Sequence, residues 1–168
     1  DFDVAVDGSI VATVASTLSG KLLVARFMPN GDVDTAFGTS GYVSVAPPDH
    51  GSPQPGAVLI RPSGETLVAA TFAYSSQVGQ LPGFVQFTAT GQLDTSFGDA
   101  GFQIQNPGSN LVGIPKDLLL LPDGSAIQAG LTQPGVVTGT VIAVDTYWMR
   151  VDHNGMPVTA MGPNGIKI

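Results

Sequence analysis

One acidic segment of the sequence has a spacing that could bind a cation. In "NGDVD", Asn30, Asp32 and Asp34 alternate as positions 1, 3 and 5 of a calcium-binding loop do. A bidentate glutamate normally completes such a loop, but Glu65 is the only glutamate in the chain. The alternative is a turn in which aspartates accept hydrogen bonds from backbone N–H groups. We therefore expect no cofactor, with calcium at this turn as the alternative.

The residue types needed for catalysis are sparse. His50 lies in a proline-rich segment and His153 in a glycine-containing turn, and neither position indicates a nucleophile–base–acid arrangement. The turn aspartates occur one per repeat rather than as a pair in one cleft, which argues against glycoside hydrolysis. The absence of cysteine excludes disulfides, thiolate nucleophiles and cysteine metal sites. We therefore predict a protein that is not an enzyme.

Two adjacent aromatic residues are the candidates for ligand binding. Tyr147 and Trp148 point to opposite faces if they lie on a strand. The indole of Trp148, the only tryptophan in the chain, could stack on a sugar ring. The interpretation that we favour is that one side chain packs between sheets and the other helps to form a subunit contact.

Composition and charge exclude several classes of partner. The net charge is −7, and the six basic residues are scattered singly, so binding to nucleic acid or to an anionic membrane surface is not expected. The longest apolar runs are too short to span a bilayer. Only 11% of residues are charged, against about 25% in a typical protein. This low charge, together with frequent Gly, Ser and Thr and internal repeats, favours an extracellular or cell-surface location.

The candidate residues belong to a pattern that the chain repeats. The segments "RFMPNGDVDTAFGTSGYVSV", "QFTATGQLDTSFGDAGFQIQ" and "RVDHNGMPVTAMGPNGIKI" begin at residues 26, 86 and 150. Their shared glycines are spaced by 60 and 64 residues. Arg26 and Arg150 occupy equivalent positions, and we expect pairing with a turn aspartate, for example Arg26 with Asp34. The shared turn and core residues are Gly31, Asp34, Phe37, Gly38, Gly91, Asp94, Phe97, Gly98, Gly155, Met161 and Gly162.

Each repeat is predicted to contain four strands and no helix. The first half of each repeat has an apolar run, an Asp-Gly or Ser-Gly turn and a second apolar run, which is a hairpin pattern. We expect one all-β domain, residues 1–168, made of three four-stranded antiparallel repeats of about 60 residues, at 1–45, 46–105 and 106–168. Residues 46–56 and 106–115 are expected to be linkers, the first running extended on the surface. The predicted strands are residues 2–6, 10–16, 22–28, 41–45, 57–61, 66–73, 83–88, 102–105, 117–121, 126–132, 146–151 and 165–168.

Residues 25–41 carry the clearest likeness to a known family. They read Ala-Arg-aromatic-x-Pro-Asn-Gly-x-apolar-Asp-Thr-x-Phe-Gly-x-x-Gly, and this pattern resembles the delta-60 repeat. That bacterial repeat has no assigned function and is expected to form β-propeller blades. The resemblance implies propeller-blade-like sheets, with the phenylalanine of each Phe-Gly pair between neighbouring sheets. The third repeat departs from the pattern because it lacks the Asp and the Phe.

The number of repeats leads to the functional prediction. Propellers have about four to eight blades, so three cannot close a ring, and the terminal strands leave edges that pair readily. We expect self-association, as a six-bladed ring of two copies or as a head-to-tail filament in which "GIKI" completes the next sheet; a piece of a longer chain is the third alternative. The predicted function is extracellular, structural self-assembly. The alternative is a lectin-like or adhesin-like module that binds carbohydrate or a cell-surface ligand.

Overall fold

The fold consists of three four-stranded antiparallel sheets, each built from consecutive strands in sequence order. The computed structural model describes residues 1–16, 20–46, 50–74, 80–108, 111–134 and 145–168. The predicted all-β class with three four-stranded repeats is confirmed, and the sheets do not close into a ring. No helix among the described residues has the length and apolar character needed to cross a membrane.

The strands and two short 3₁₀ turns have the following bounds. Sheet 1 contains β1 (Phe2–Val4), β2 (Ile10–Ser16), β3 (Lys21–Phe27) and β4 (Tyr42–Val45). Sheet 2 contains β5 (His50–Ile60), β6 (Thr66–Tyr74), β7 (Gln80–Phe87) and β8 (Phe102–Ile104). Sheet 3 contains β9 (Leu111–Leu120), β10 (Ala126–Pro134), β11 (Asp145–Val151) and β12 (Ile166–Lys167), and the 3₁₀ turns Thr159–Met161 and Pro163–Gly165 precede β12.

The linkers between the sheets are shorter than the sequence predicted. β5 begins at His50 rather than after residue 56, and β9 begins at Leu111, so the linker prediction was wrong for residues 50–56 and 111–115. The register of β5 on β6 shifts between Gly51 and Gln54 and again between Pro55 and Ala57. Proline cannot donate a hydrogen bond to the neighbouring strand, and the irregular register lets the proline-rich segment stay in the sheet.

Short side chains fix the hairpin between the first two strands of a sheet. The Asp7 carboxylate accepts hydrogen bonds from the Ser9 hydroxyl at 2.7 Å and from the Ser9 N–H at 2.9 Å. Asp123 accepts the same two bonds from Ser125, at 2.6 and 3.0 Å. In both turns the serine hydroxyl, followed by the serine N–H, lowers the pKa of the aspartate. The Asp-Gly-Ser sequence therefore stabilises the turn through hydrogen bonds within the turn itself.

The apolar core lies between the sheets. Because side chains alternate along a strand, Val58 and Val68 of sheet 2 face sheet 1, whereas Leu59 and Leu67 face sheet 3. Sheet 2 is thus buried on both sides, which accounts for its nearly continuous apolar strands. The buried core between sheets 1 and 2 includes Val11, Leu22, Val24, Phe37, Phe72, Val85, Phe87 and Phe102; the core between sheets 2 and 3 includes Ala69, Phe84, Phe97, Tyr147, Met149, Val151 and Ile166.

Candidate functional site at the junctions between sheets

The same backbone contact joins each sheet to the next. The Gly38 N–H of sheet 1 donates a 2.8 Å hydrogen bond to the Thr90 carbonyl oxygen in the turn after β7. One repeat later, the Gly98 N–H donates to the Asn154 carbonyl at 2.7 Å. The preceding residues, Phe37 and Phe97, are fully buried between the sheets that they join. Each Phe-Gly pair therefore connects its own repeat to the turn of the following one.

Glycine is required where the Phe-Gly pair meets the next turn. Gly91 and Gly155 have φ values of +78° and +83°, which side chains other than Asn and Asp rarely adopt. A Cβ atom at Gly91 would also lie 2.7 Å from the Gly38 nitrogen and 2.9 Å from the Phe37 ring. Gly155 has the same relation to Gly98, at 2.7 Å. Both backbone angle and space thus exclude a larger residue there.

Arg26 adds a polar connection at the first junction. Its Nε–H donates to the Asp34 carboxylate at 2.6 Å, as the sequence predicted, and its Nη1–H donates to the Ala89 carbonyl of the next repeat at 2.6 Å. The guanidinium also lies 4.8 Å from the centroid of the Phe37 ring, within cation–π range. In sheet 3, Arg150 pairs with Asp123 of the hairpin turn at 2.6 Å.

Sheet 2 replaces this arginine by Gln86 and uses Arg61 instead. Gln86 donates to Asp94 at 2.8 Å and accepts from the Arg61 Nε–H at 2.8 Å. The Arg61 Nη1–H reaches the Gly124 carbonyl of sheet 3 at 2.6 Å. Burial lowers the pKa of Arg61, although the group stays charged at neutral pH. Burial opposes the ionisation of Asp94, but hydrogen bonds from Ser96 and Gln86 lower its pKa on balance.

Two aspartates of sheet 1, Asp3 in β1 and Asp1 just before it, accept hydrogen bonds from the first strand of sheet 2. The Asp1 carboxylate accepts a hydrogen bond from the Val58 N–H at 3.0 Å, and the Asp3 carboxylate accepts one from the Ile60 N–H at 2.8 Å. These N–H groups lie on the edge of β5 that does not pair with β6. Asp1, Asp3 and Arg61 were not predicted from the sequence because each bonds a group of the next sheet: Val58 and Ile60 for the aspartates, and Gly124 for Arg61.

The calcium candidates are engaged in a hydrogen-bonded turn. The Asp34 carboxylate is bound by Arg26 and accepts a further bond from the Ala36 N–H at 3.1 Å. The Asn30 amide donates to Asp32 at 2.8 Å, and its oxygen accepts from the Asp32 N–H at 3.1 Å. The described parts of the chain contain no group of three His, Cys, Asp or Glu side chains placed to hold a metal. These hydrogen bonds are the ones that the turn interpretation expects, and the absence of a cofactor stays a prediction.

His153 and two serine hydroxyls, of Ser63 and Ser96, lie in or beside turns. His153 lines a cleft of about 730 Å³ between sheets 2 and 3, together with Arg61 and Glu65. Ser63 donates its hydroxyl hydrogen bond to Glu65, and Ser96 donates to Asp94, in each case within one turn. These bonds order turns rather than activate a nucleophile through a histidine. The side chain of the other candidate, His50, lies outside the described part.

The aromatic pair divides between core and surface. The Tyr147 ring is fully buried between sheets 2 and 3, its hydroxyl accepts a hydrogen bond from Gln128 at 3.1 Å, and burial raises its pKa. Tyr147 is thus not accessible to a ligand. Trp148 points the other way and is 48% exposed. Its repeat equivalents, Val24 and Phe84, are fully buried against the following sheet.

The outer faces of sheets 1 and 3 carry exposed apolar side chains. The leading face is the side of sheet 1 that points away from sheet 2, with Phe2, Val4, Val14 and Tyr42 exposed. The trailing face is the side of sheet 3 that points away from sheet 2, with Leu119 and Trp148 exposed and Ile127 partly buried. Phe2 is 67% exposed, whereas its equivalent in sheet 2, Val58, is buried against sheet 1.

The third repeat preserves the turn despite its altered sequence. Val158 stands at the position of Asp34, and its N–H donates to the Arg150 carbonyl as that of Asp34 donates to Arg26. Ser40, Ala100 and Asn164 occupy equivalent positions, and all three have positive φ. Met161 replaces the phenylalanine and is half-buried. The Gly162 N–H donates to the Thr159 carbonyl at 3.1 Å.

The comparison with protein families agrees with this geometry. A family model described as a domain of unknown function (DUF5122) beta-propeller matches residues 7–37 and 61–97. The chain contains β-propeller-like repeats. The two matched segments cover less than half of the 168 residues, and each ends at the phenylalanine of a Phe-Gly pair. The delta-60 name stays a prediction. No curated protein and no solved structure matches the chain.

Proposed function

We propose that the chain is a structural β-propeller-like module that assembles head to tail, with the trailing face of one copy against the leading face of the next. The observation that carries this proposal is the contrast between Trp148 and Phe84. The two residues occupy the same place in their repeats, yet Phe84 is fully buried by the next sheet and Trp148 is 48% exposed. A further sheet on the trailing face would bury Trp148 in the same way.

The leading face supports the same direction of assembly. Tyr42 is exposed on this face, while its equivalent in sheet 2, Phe102, is buried in the junction with sheet 1. The two outer faces thus correspond to the two sides of one type of contact, which the chain already makes twice. Burial of apolar surface is worth about 25 cal/mol per Å², so covering these exposed side chains would favour the contact, against the entropy cost of association. A closed ring and an open filament can both make this contact. Two copies supply six sheets, which is enough for a closed propeller, whereas a head-to-tail rotation that does not close gives a filament.

The proposal includes an extracellular or cell-surface location. Its support is the low charge of the sequence, together with its frequent Gly, Ser and Thr and its internal repeats. Antibody labelling of intact cells that produce the chain checks it. Signal that appears only after the cells are permeabilised would contradict an external location.

The assembly is tested by measuring the mass of the purified chain and of one altered chain. Trp148→Glu places a charge in the proposed contact and should shift the protein toward the 17.1 kDa monomer. Met156→Glu is the matched control because Met156 is exposed to a similar degree but lies in the turn after β11, next to Gly155, which contacts Phe97 and Gly98 of the second repeat, rather than on the trailing face. Equal masses for the two variants would argue against the trailing face as a contact surface.

Carbohydrate or cell-surface ligand binding is the second candidate, and one observation favours it. The exposed indole of Trp148 offers an aromatic surface of the kind on which sugar rings stack. A glycan array with the unaltered chain and with Trp148→Ala tests this function. Binding to a defined sugar that disappears in the variant would support it. An array without signal would leave assembly as the better proposal.

A further inference from the structure

We propose that the turn at residues 28–31 of one copy is the docking site for Met161 and Gly162 of a second copy. This inference rests on the proposed head-to-tail assembly and names the contact that sets its register. The occupant is a second copy of this chain rather than an unrelated protein. The site calls for an apolar side chain followed by a glycine N–H donor, and the third repeat presents that pair.

The internal junctions define what such a site recognises. At each junction, a phenylalanine ring lies against the turn glycine of the next repeat, and the following glycine N–H bonds the carbonyl before that turn glycine. The pairs are Gly38 with Thr90 and Gly98 with Asn154, at 2.8 and 2.7 Å. Both contacts are made entirely by equivalent positions of the repeats. The same geometry therefore predicts how the third repeat of one copy would meet the first repeat of the next copy.

In the first repeat, Asn30 and Gly31 are the equivalents of Thr90-Gly91 and Asn154-Gly155, and they form the acceptor side of the proposed contact. Gly31 has φ of +89°, close to the values at Gly91 and Gly155, so the turn has the same shape. A Cβ atom at Gly31 would meet no other described atom within 4 Å, whereas at Gly91 and Gly155 it would strike the docked partner. Within the described part of the chain, no hydrogen bond reaches the Asn30 carbonyl. Met28, in the same turn, is partly exposed and offers apolar surface.

The donor side is Met161 and Gly162. A Cβ atom at Gly162 would lie 2.1 Å from the Ile166 carbonyl oxygen, which matches the 2.2 Å at Gly38 and 2.3 Å at Gly98. The backbone therefore passes equally close to the following strand in all three repeats. Methionine is unbranched and fills irregular apolar gaps, so it can occupy the place of the phenylalanine.

One local rearrangement accompanies docking. Gly162 has φ of +150°, against +58° at Gly38 and +55° at Gly98, and its N–H bonds Thr159 at 3.1 Å. Rotation of this peptide would exchange the Thr159 carbonyl for the Asn30 carbonyl of the partner. The number of hydrogen bonds is unchanged, so the driving force comes from burial of Met161 and of the two outer faces.

The test compares two glycine substitutions by sedimentation velocity over a range of concentrations. Asparagine tolerates positive φ, so Gly31→Asn keeps the turn but fills the docking site. Gly124→Asn is the matched control: its φ is +80°, and an added Cβ meets only the His153 Cβ at 3.6 Å. We expect Gly31→Asn to raise the dissociation constant about tenfold or more, and Gly124→Asn to leave it within about twofold. Circular dichroism should show that both variants keep the fold.

A second pair of variants tests the donor side of the contact. It also keeps the proposal testable if Gly31→Asn does not fold. Met161→Glu should weaken association as strongly, while Met156→Glu, in the neighbouring turn, should not. If the unaltered chain assembles and both Gly31→Asn and Met161→Glu assemble equally well, the docking site is wrong and head-to-tail assembly stands. If the unaltered chain is a monomer at every concentration, the proposed function fails and the docking site with it.

Discussion

The Gly38 N–H donates a hydrogen bond to the Thr90 carbonyl oxygen, with 2.8 Å between nitrogen and oxygen, and this bond joins the first repeat to the second. The bond exists because the Phe-Gly pair of one repeat reaches the Thr-Gly turn of the next. Gly98 and Asn154 repeat it at 2.7 Å. The repeated sequence motif therefore determines a contact between repeats as well as a turn within each one.

The turn glycines should differ in their tolerance of a side chain. Gly91→Asn introduces a Cβ only 2.7 Å from the Gly38 nitrogen and should lower the free energy of unfolding by about 1–3 kcal/mol, as overpacking does. Gly31→Asn, at the equivalent position with open space around it, should cost much less. Urea denaturation at a concentration where the chain is monomeric measures both. Equal losses would show that the first junction does not have the geometry described.

Removing the phenylalanine ring at the second junction should have a large effect. Phe97→Ala deletes a fully buried ring and should lower the free energy of unfolding by about 3–5 kcal/mol. Phe2→Ala is the control, because Phe2 is mostly exposed and its loss should change the stability by about 0.5 kcal/mol or less. Thermal or urea unfolding followed by circular dichroism compares them. A small effect of Phe97→Ala would mean that the ring is not part of the core.

The carboxylate of Asp3 should matter for the attachment of sheet 1. It accepts the Ile60 N–H at 2.8 Å, and Asp3→Ala would leave that donor without its partner, at a cost of about 1–3 kcal/mol. Asp3→Asn keeps an acceptor oxygen and should lose less. Hydrogen exchange of the Ile60 amide gives a local reading: protection should fall in Asp3→Ala. Unchanged protection would indicate that the amide is shielded by other groups.

Acid should remove the contribution of Asp94 to stability. Its pKa in the folded chain lies below the ordinary value of 3.8, because the hydrogen bonds from Ser96 and Gln86 outweigh the opposing effect of burial. Such a group stabilises the fold above the unfolded-state pKa, and its contribution is lost as the pH falls through the folded-state pKa. Asp94→Asn should therefore be less stable than the unaltered chain at pH 7, and the difference should shrink below the ordinary value of 3.8. Urea midpoints at several pH values measure this; a constant difference would contradict it.

Salt should strengthen the association of copies. Each copy carries a net charge of −7, so copies repel one another at low ionic strength. The screening length falls from about 30 Å at 0.01 M salt to about 8 Å at 0.15 M, which weakens this repulsion while the apolar contact remains. Light scattering should show a larger average mass at the higher salt concentration. Dissociation by salt would instead indicate that ion pairs dominate the contact.

The sequence predicted the parts of this structure that depend on local signals. Alternation of apolar residues and the Asp-Gly turns located all twelve strands, since those signals lie within each repeat. The starts of β5 and β9 were missed because prolines usually indicate a linker, and only pairing with the next strand keeps them in the sheet. Arg61 was missed for a different reason: its partners Gln86 and Gly124 come together only when two sheets stack.

The most direct test of the account is the mass and shape of the unaltered chain, measured by sedimentation velocity and negative-stain electron microscopy on one sample. Head-to-tail assembly predicts particles of at least twice 17.1 kDa, either as rings with a central hole or as filaments with a regular subunit repeat. A stable monomer across micromolar to millimolar concentration, with no particle larger than one copy, would contradict it.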